Sequence, residues 1–409
     1  MRLYPRYITP VLKAALADTP VVCLLGPRQA GKTTLVQQLR PKKAYVSFDD
    51  RDLLEAARND PLGFVQGLPA AIILDEIQRV PELMPAIKLV VDRHRSPGRF
   101  LLTGSANLLL LPRVQESLAG RMEIVRLNPL SEMEKRGSRK SLLHALLSGE
   151  IKTGISAQQD IVRGIPEAIC TGGYPEPNMR TASRARQWYK QYLQAIIERD
   201  VKDIAAVNDQ NSLLRLMELL AYRTANLLNI SNLSRDLGID RETTEKYVSI
   251  LERLFLIHRL PAWHKSNAKR LIKTPKVHVV DSGLAAMLNR LTVKDWTSQS
   301  TEFGALLESF VVQQLICQAG WVDSDLRFSH YRDKDKVEVD LVIEQGRKVW
   351  AVEVKRAASV HKKDGAGLVR IAEKTGKFFQ GGMLLYSGVH CLPLAVDKCF
   401  AVPLDRLWA

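Results

Sequence analysis

The sequence predicts an α/β chain of several domains: a mainly parallel sheet first, a helical middle, and a smaller α/β unit at the end. Three observations carry this. A phosphate-binding loop, Gly26-Pro27-Arg28-Gln29-Ala30-Gly31-Lys32-Thr33, lies between an apolar strand and a helix start. Strand and helix signals alternate through residues 1–130, the mark of βαβ units. Near the carboxyl end, two strand-like runs around a glycine turn carry Asp340 and the pair Glu353 and Lys355. The length of 409 residues suits two to four domains, and 46% hydrophobic with 25% charged residues is a globular balance.

Lys and Arg outnumber Asp and Glu by 59 to 44, a net charge of +15. A charge of this sign fits an acidic partner, nucleic acid above all, and says nothing about fold. Cys23, Cys170, Cys317, Cys391 and Cys399 are scattered and form no C-x-x-C pair, so neither a disulfide framework nor a cysteine zinc site is expected. His94, His258, His264, His278, His330, His361 and His390 show no metal-ligand spacing. The amino end lacks an apolar signal core, and no run approaches 18 apolar residues. The expectation is a cytoplasmic protein without a membrane partner.

In the first domain, residues 1–130, the run Val21–Leu25 reads as a buried strand and Thr33–Leu39 as a helix. A polyphosphate is favoured there by backbone N–H groups and the helix dipole. Lys32 would reach the β- and γ-phosphates and the Thr33 hydroxyl would ligate Mg²⁺, so the expected cofactors are ATP and Mg²⁺. The cradle is Gly26, Pro27, Arg28, Gln29, Ala30, Gly31, Lys32, Thr33 and Thr34. Further strands are expected at Ala44–Phe48, Ala70–Leu74, Arg99–Leu102 and Met122–Arg126. The third strand ends in Asp75-Glu76, a Walker B pattern: Asp75 for Mg²⁺ through water, Glu76 to polarise the attacking water. The next delivers Ser105 towards the γ-phosphate, with Thr103 and Asn107 as neighbours. Arg121, with Arg113 a weaker competitor, suits either a charge contact to a neighbouring subunit's phosphate, which implies a homo-oligomer, or a surface salt bridge.

These motifs, with Ser117-Leu118-Ala119-Gly120-Arg121 and Asn128-Pro129-Leu130-Ser131…Glu134, resemble a prokaryotic group of AAA+ ATP-binding proteins. The resemblance runs over nearly the whole chain. It implies ATP binding, slow hydrolysis and a C-terminal domain of unassigned function.

Residues 131–205 read as a helical lid and connection. Lys135 to Lys140 is a basic, loop-like break, and Thr171-Gly172-Gly173-Tyr174-Pro175 must turn. The Gly-x-Pro triplet resembles one in the lid of related signalling ATPases, which places Pro175 near the nucleotide. Residues 206–290 resemble a winged helix-turn-helix, with Arg241 to Leu254 as recognition helix and a basic wing from Trp263 to Lys273. The mixed charge of that helix leaves open both DNA and protein partners.

Residues 300–409 open with a helix bearing Glu308 and continue into the hairpin. Asp340 and Glu353-x-Lys355 form the constellation of restriction-endonuclease-like domains. Its chemistry needs carboxylates on Mg²⁺ and a lysine that orients water. The expected metal ligands are Glu308, Asp340 and Glu353, with Lys355 catalytic. Two functions follow: an ATPase acting on DNA through a nuclease-like domain, or an ATP-binding switch that docks protein partners without cutting.

Overall fold

The computed structural model describes residues 3–40, 44–105, 118–155, 159–201, 209–266, 268, 270, 273–298 and 301–408. Asn107 and Arg113 lie outside these.

The first domain is an α/β layer structure. Strands β1 (Val21–Leu25), β2 (Ala44–Ser47), β3 (Ile72–Asp75), β4 (Phe100–Gly104) and β5 (Met122–Arg126) form a parallel sheet of order β2-β3-β4-β1-β5. Its central strands are buried throughout and mostly apolar because helices cover both faces. One face packs Cys23, Leu25, Leu74 and Leu102. The other packs Val22, Leu24, Ile73 and Leu101 under the helix Thr9–Asp18. Expected and observed strands coincide within two or three residues.

The remainder is less divided than expected. A single apolar core joins Met133, Tyr174, Leu216, Leu251, Leu306 and Trp408, so the middle and the C-terminal region share one interior. Residues 131–155 touch the Gly172 turn through Lys135 and also pack on the C-terminal region. Their short helices, Glu132–Arg136 and Leu142–Ser148, dock on the long helix Thr301–Val322, where Gln314 Oε1 accepts the Glu132 N–H and Gln318 Oε1 accepts the Leu143 N–H. Strand β6 (Gly154–Ile155) then joins the C-terminal sheet as its edge. The basic break is partly consumed on the way. Lys135 and Arg136 both pair with the buried Glu132, and Arg136 lies 4.8 Å over the Trp408 ring.

The helix from Ala182 runs to Ala195 and continues as a π-type turn over Ile196–Asp200. Next come the helix Gln210–Tyr222, strand β7 (Asn226–Leu227), the helices Ile230–Leu237 and Arg241–Arg253, and strands β8 (Ile257–Leu260) and β9 (Lys276–Val279). Asn229 and Asp240 cap the two helices, and Gly238 makes the turn at φ 69°. The small antiparallel sheet has the order β7-β9-β8.

The C-terminal sheet has the order β10-β11-β12-β13-β15-β14-β6. Its strands are β10 (Arg327–Arg332), β11 (Glu338–Gln345), β12 (Lys348–Lys355), β13 (Phe379–Tyr386), β14 (His390–Pro393) and β15 (Cys399–Pro403). The expected hairpin is β11–β12, paired Leu341 to Val352. Pairing of β10 with β11 slips between Ser329–Val342 and Tyr331–Val339, which gives β11 one extra residue around Asp340.

The Gly172-Gly173 turn is a point where domains meet. Gly172 has φ +73°, and a Cβ there would lie 2.2 Å from the Tyr189 hydroxyl and 2.3 Å from an Asp281 carboxylate oxygen. Gly172→Ala therefore combines left-handed strain with a clash and should cost about 1–3 kcal/mol. Gly238→Ala, which meets nothing within 4 Å, should cost less. Urea unfolding followed by tryptophan fluorescence compares the two; equal midpoints would refute the clash.

Candidate functional site

The phosphate loop leaves the carboxyl end of β1, and Asp75-Glu76 and Ser105 leave the same end of β3 and β4. All three lie along the crevice at the top of the sheet. Gly31, at φ 97°, begins the helix Lys32–Leu39, whose first N–H groups face the loop. A pocket of about 610 Å³ lies over this helix end, lined by the loop from Arg28 to Thr34, by Glu76, and by Tyr4, Arg6, Pro175, Arg180 and Trp188. Its volume suits a nucleotide, and Arg6, Arg28, Lys32 and Arg180 give its walls positive charge. Pro175 is thus brought to the loop from 142 residues downstream of Thr33, as part of the turn that Gly172-Gly173 begins.

Asp75 is the electrostatic centre. It is 3% exposed. Its Oδ2 accepts from the Thr33 hydroxyl at 2.9 Å and the Tyr45 hydroxyl at 2.5 Å; its Oδ1 accepts from Thr103 and from the Glu76 N–H. Burial, then the Asp75 carboxylate, raises the Tyr45 phenol above its ordinary value, so it stays a donor. A hydroxyl and a carboxylate side by side at a helix start are hard oxygen donors and fit Mg²⁺. Lys32 donates to the Gly26 and Pro27 carbonyls at 2.9 Å each, across the loop it would serve.

Glu76 adopts φ 57°, ψ 42°, a left-handed conformation that costs a non-glycine residue about 1–2 kcal/mol. The strain turns its carboxylate to Ser105, whose hydroxyl donates to Glu76 Oε2 at 3.1 Å, and to Gln78, whose amide donates at 2.5 Å. Gln78 also bonds the Ser105 hydroxyl and receives the Ser105 N–H. Ser105 thus meets Glu76, and Thr103 meets Asp75. Gln78 was missed by sequence reasoning; the signal is its place two residues after Glu76, within reach of the same carboxylate.

Three further residues fasten the loop. Arg6 donates to the Ala30 carbonyl at 2.7 Å, the Asn128 carbonyl at 2.6 Å and Glu134 Oε1 at 3.0 Å. Glu134 completes a capping box with Ser131 and also accepts the Tyr7 N–H. From the middle region the Tyr192 hydroxyl donates to the Arg28 carbonyl at 3.1 Å and bonds the Tyr174 hydroxyl at 2.7 Å. No periodic signal marks them, because each contact joins segments far apart in sequence.

Arg121 forms a salt bridge within the chain. Both its Nε and Nη2 donate to Asp92, on the outside of the sheet at the amino end of β5, opposite the phosphate loop. It does not join its own subunit's site.

The C-terminal residues also meet, though not as a metal site. Asp340 and Glu353 lie on adjacent strands, one step beyond the Leu341–Val352 pair, and Lys355 is 4.0 Å from Glu353. Glu308 is raised well above the usual carboxylate range by burial and then by Asp340; Glu353 is raised by the same two causes. The expected set Glu308, Asp340 and Glu353 is corrected here. Lys276, from β9, places its ammonium 2.7 Å from Glu308 and 3.5 Å from Asp340, where a divalent ion would have to sit. Among the described residues no group of three or more His, Cys, Asp or Glu is placed to hold a metal ion. These residues do not fit Mg²⁺ as arranged.

Among the described residues no helix is long and apolar enough to cross a membrane. Residues 18–135 match the family described as "AAA domain". Residues 162–295 and 303–407 match two domains of unknown function, DUF8612 and DUF4143. The chain is 29% identical over 399 residues to uncharacterized proteins of Mycobacterium tuberculosis and Mycobacterium bovis, covering 97% of this chain and 82% of each relative. Among solved structures, a Walker-type ATPase of Pyrococcus abyssi aligns at 15% identity with a TM-score of 0.41, over 69% of this chain and 94% of that one. The motif geometry and the AAA-domain match make the first domain a P-loop ATPase domain of the AAA type.

Glu76→Gln keeps the hydrogen bonds to Ser105 and Gln78 in reach but removes the base. It should retain ATP binding while turnover falls about 10²-fold or more. Release of phosphate, measured beside calorimetric binding, checks both halves; an unchanged rate would reject the assignment.

Proposed function

We propose that this protein is a Mg²⁺-dependent ATP hydrolase whose nucleotide state is read by the middle region and whose partner is DNA. The observation that carries the ATPase reading is the single pocket uniting Lys32, Thr33 and Glu76 beside the buried Asp75. The loop N–H groups and Lys32 bind the phosphates, with Lys32 exchanging its two loop carbonyls for phosphate oxygens. Thr33 and Asp75 would hold Mg²⁺, which neutralises charge on the β- and γ-phosphates when bound. Glu76 orients a water against the γ-phosphorus, while Ser105 and Gln78 hold its carboxylate in place. The Tyr192 bond to Arg28 and the Pro175 turn put the middle region against the same pocket, so nucleotide entry is felt there.

The DNA reading rests on the helix–turn–helix Ile230–Arg253 with strands β8 and β9 behind it, the order of a winged helix. The mixed charge of the second helix weighs less than its sequence implies. Arg259 on β8 binds Glu245 at 2.6 Å and Glu252 at 2.8 Å, which neutralises two of its three acids. Arg241 and Lys246 stay exposed. The basic wing contributes less, since Arg270 is paired with Glu344. The C-terminal sheet, with Asp340, Glu353 and Lys355 on neighbouring strands, supports a nuclease-like fold that grips rather than cuts.

Lys32→Ala should abolish ATP binding in calorimetry at millimolar nucleotide; normal binding would end the ATPase reading. Separately, a labelled DNA duplex should bind with an affinity that falls steeply between about 50 and 200 mM salt and weakens in Arg241→Ala/Lys246→Ala. No binding at low salt would reject DNA and leave the switch that docks protein partners.

A further inference from the structure

Of the carboxylates of the C-terminal cluster, Asp340 and Glu353 are buried and Glu308 is partly open. A cavity of about 410 Å³ reaches one of them, Glu308, and is lined also by Lys276, Glu338, Arg332 and Arg356. What occupies their common point is a side chain. Lys276 leaves β9, in the small sheet of the middle region, and is 3% exposed. Its ammonium lies 2.7 Å from Glu308 Oε1 and 3.5 Å from Asp340 Oδ1. The second oxygen of Asp340 accepts the Val354 N–H at 2.9 Å. Glu353 is turned against Gly367, where a Cβ would lie 2.0 Å from its Oε1.

Buried carboxylates in contact need a cation. Here the chain supplies one. Mg²⁺ draws its oxygen ligands to about 2.0–2.1 Å and so cannot share Glu308 and Asp340 with an ammonium lying between them. We propose that Lys276 is a built-in counter-ion that closes the Glu308–Asp340 pair to divalent metal, so that the cluster binds a metal only when β9 withdraws. The lysine is contributed by a different structural unit from its partners, so the closure is also a fastening between the small sheet and the C-terminal sheet. The ATP reading is not needed for any of this.

The test uses the full chain without nucleotide and Mn²⁺ as probe, with free Mn²⁺ read by electron paramagnetic resonance. Wild type and Asp340→Asn should take up the same amount of Mn²⁺ at millimolar concentration. Lys276→Met should gain about one Mn²⁺ site per chain, lost again in Lys276→Met/Asp340→Asn. An Asp340-dependent site in the wild type overturns the proposal, and so does a folded Lys276→Met that gains none. Should Lys276→Met not fold, Lys276→Gln takes its place, and the wild-type comparison with Asp340→Asn stands on its own.

Discussion

The structure depends most on the Arg6 guanidinium. Its five donors in a fixed fork reach three segments that the chain visits at very different times. One is the phosphate loop, through the Ala30 carbonyl. Another is the exit from β5, through Asn128. The third is the connection to the C-terminal half, through Glu134. Arg6 and Glu134 are nearly inaccessible, with side chains 9% and 1% exposed. A charge pair so placed leaves an uncompensated buried ion when either partner is removed, a loss of about 3–5 kcal/mol. The loop is therefore held by charge from behind while its front remains open to ligand.

On this fixed point the rest is layered. The parallel sheet aims three strand ends at one crevice, as open α/β sheets do. The middle region covers the crevice with aromatic side chains: Trp188 stacks on Tyr192 at 4.8 Å and 10°, and Tyr192 holds Arg28. Beyond that point the boundaries blur, because one interior runs from Met133 to Trp408. The middle and the C-terminal region thus share one core and carry two sheets.

Local chemistry made much of this legible in the sequence. The phosphate loop needs glycine at a left-handed turn and a following lysine and threonine, so the nucleotide site announced itself in eight consecutive residues. The central strands of the first domain were legible as short apolar runs between helical patterns. The hairpin bearing Asp340 and Glu353 was legible as alternation around Gly346. What escaped was long-range. Arg6 lies 128 residues from Glu134, and Tyr192 lies 164 from Arg28. Lys276 stands in Lys276-Val277-His278-Val279, a run that reads as an ordinary strand, and nothing there discloses that its first side chain is buried among acids from elsewhere. The docking of segment 131–155 on the C-terminal helix escaped for a like reason: it rests on Gln314 and Gln318, which look like solvent-facing residues until the helix that carries them is buried.

The strand β9 has a fixed grip at each end. Lys276 holds the acids of the C-terminal sheet. Asp281, just past the other end, accepts the Gly173 N–H at 2.6 Å in the turn that walls the phosphate pocket. Four residues lie between them, a span of about 17 Å for extended chain. Flanked by β7 and β8 and bonded to both, the strand links the wall of the phosphate pocket to the acids of the C-terminal sheet within the interior they share. A shift at either end would disturb a strand bonded on both sides.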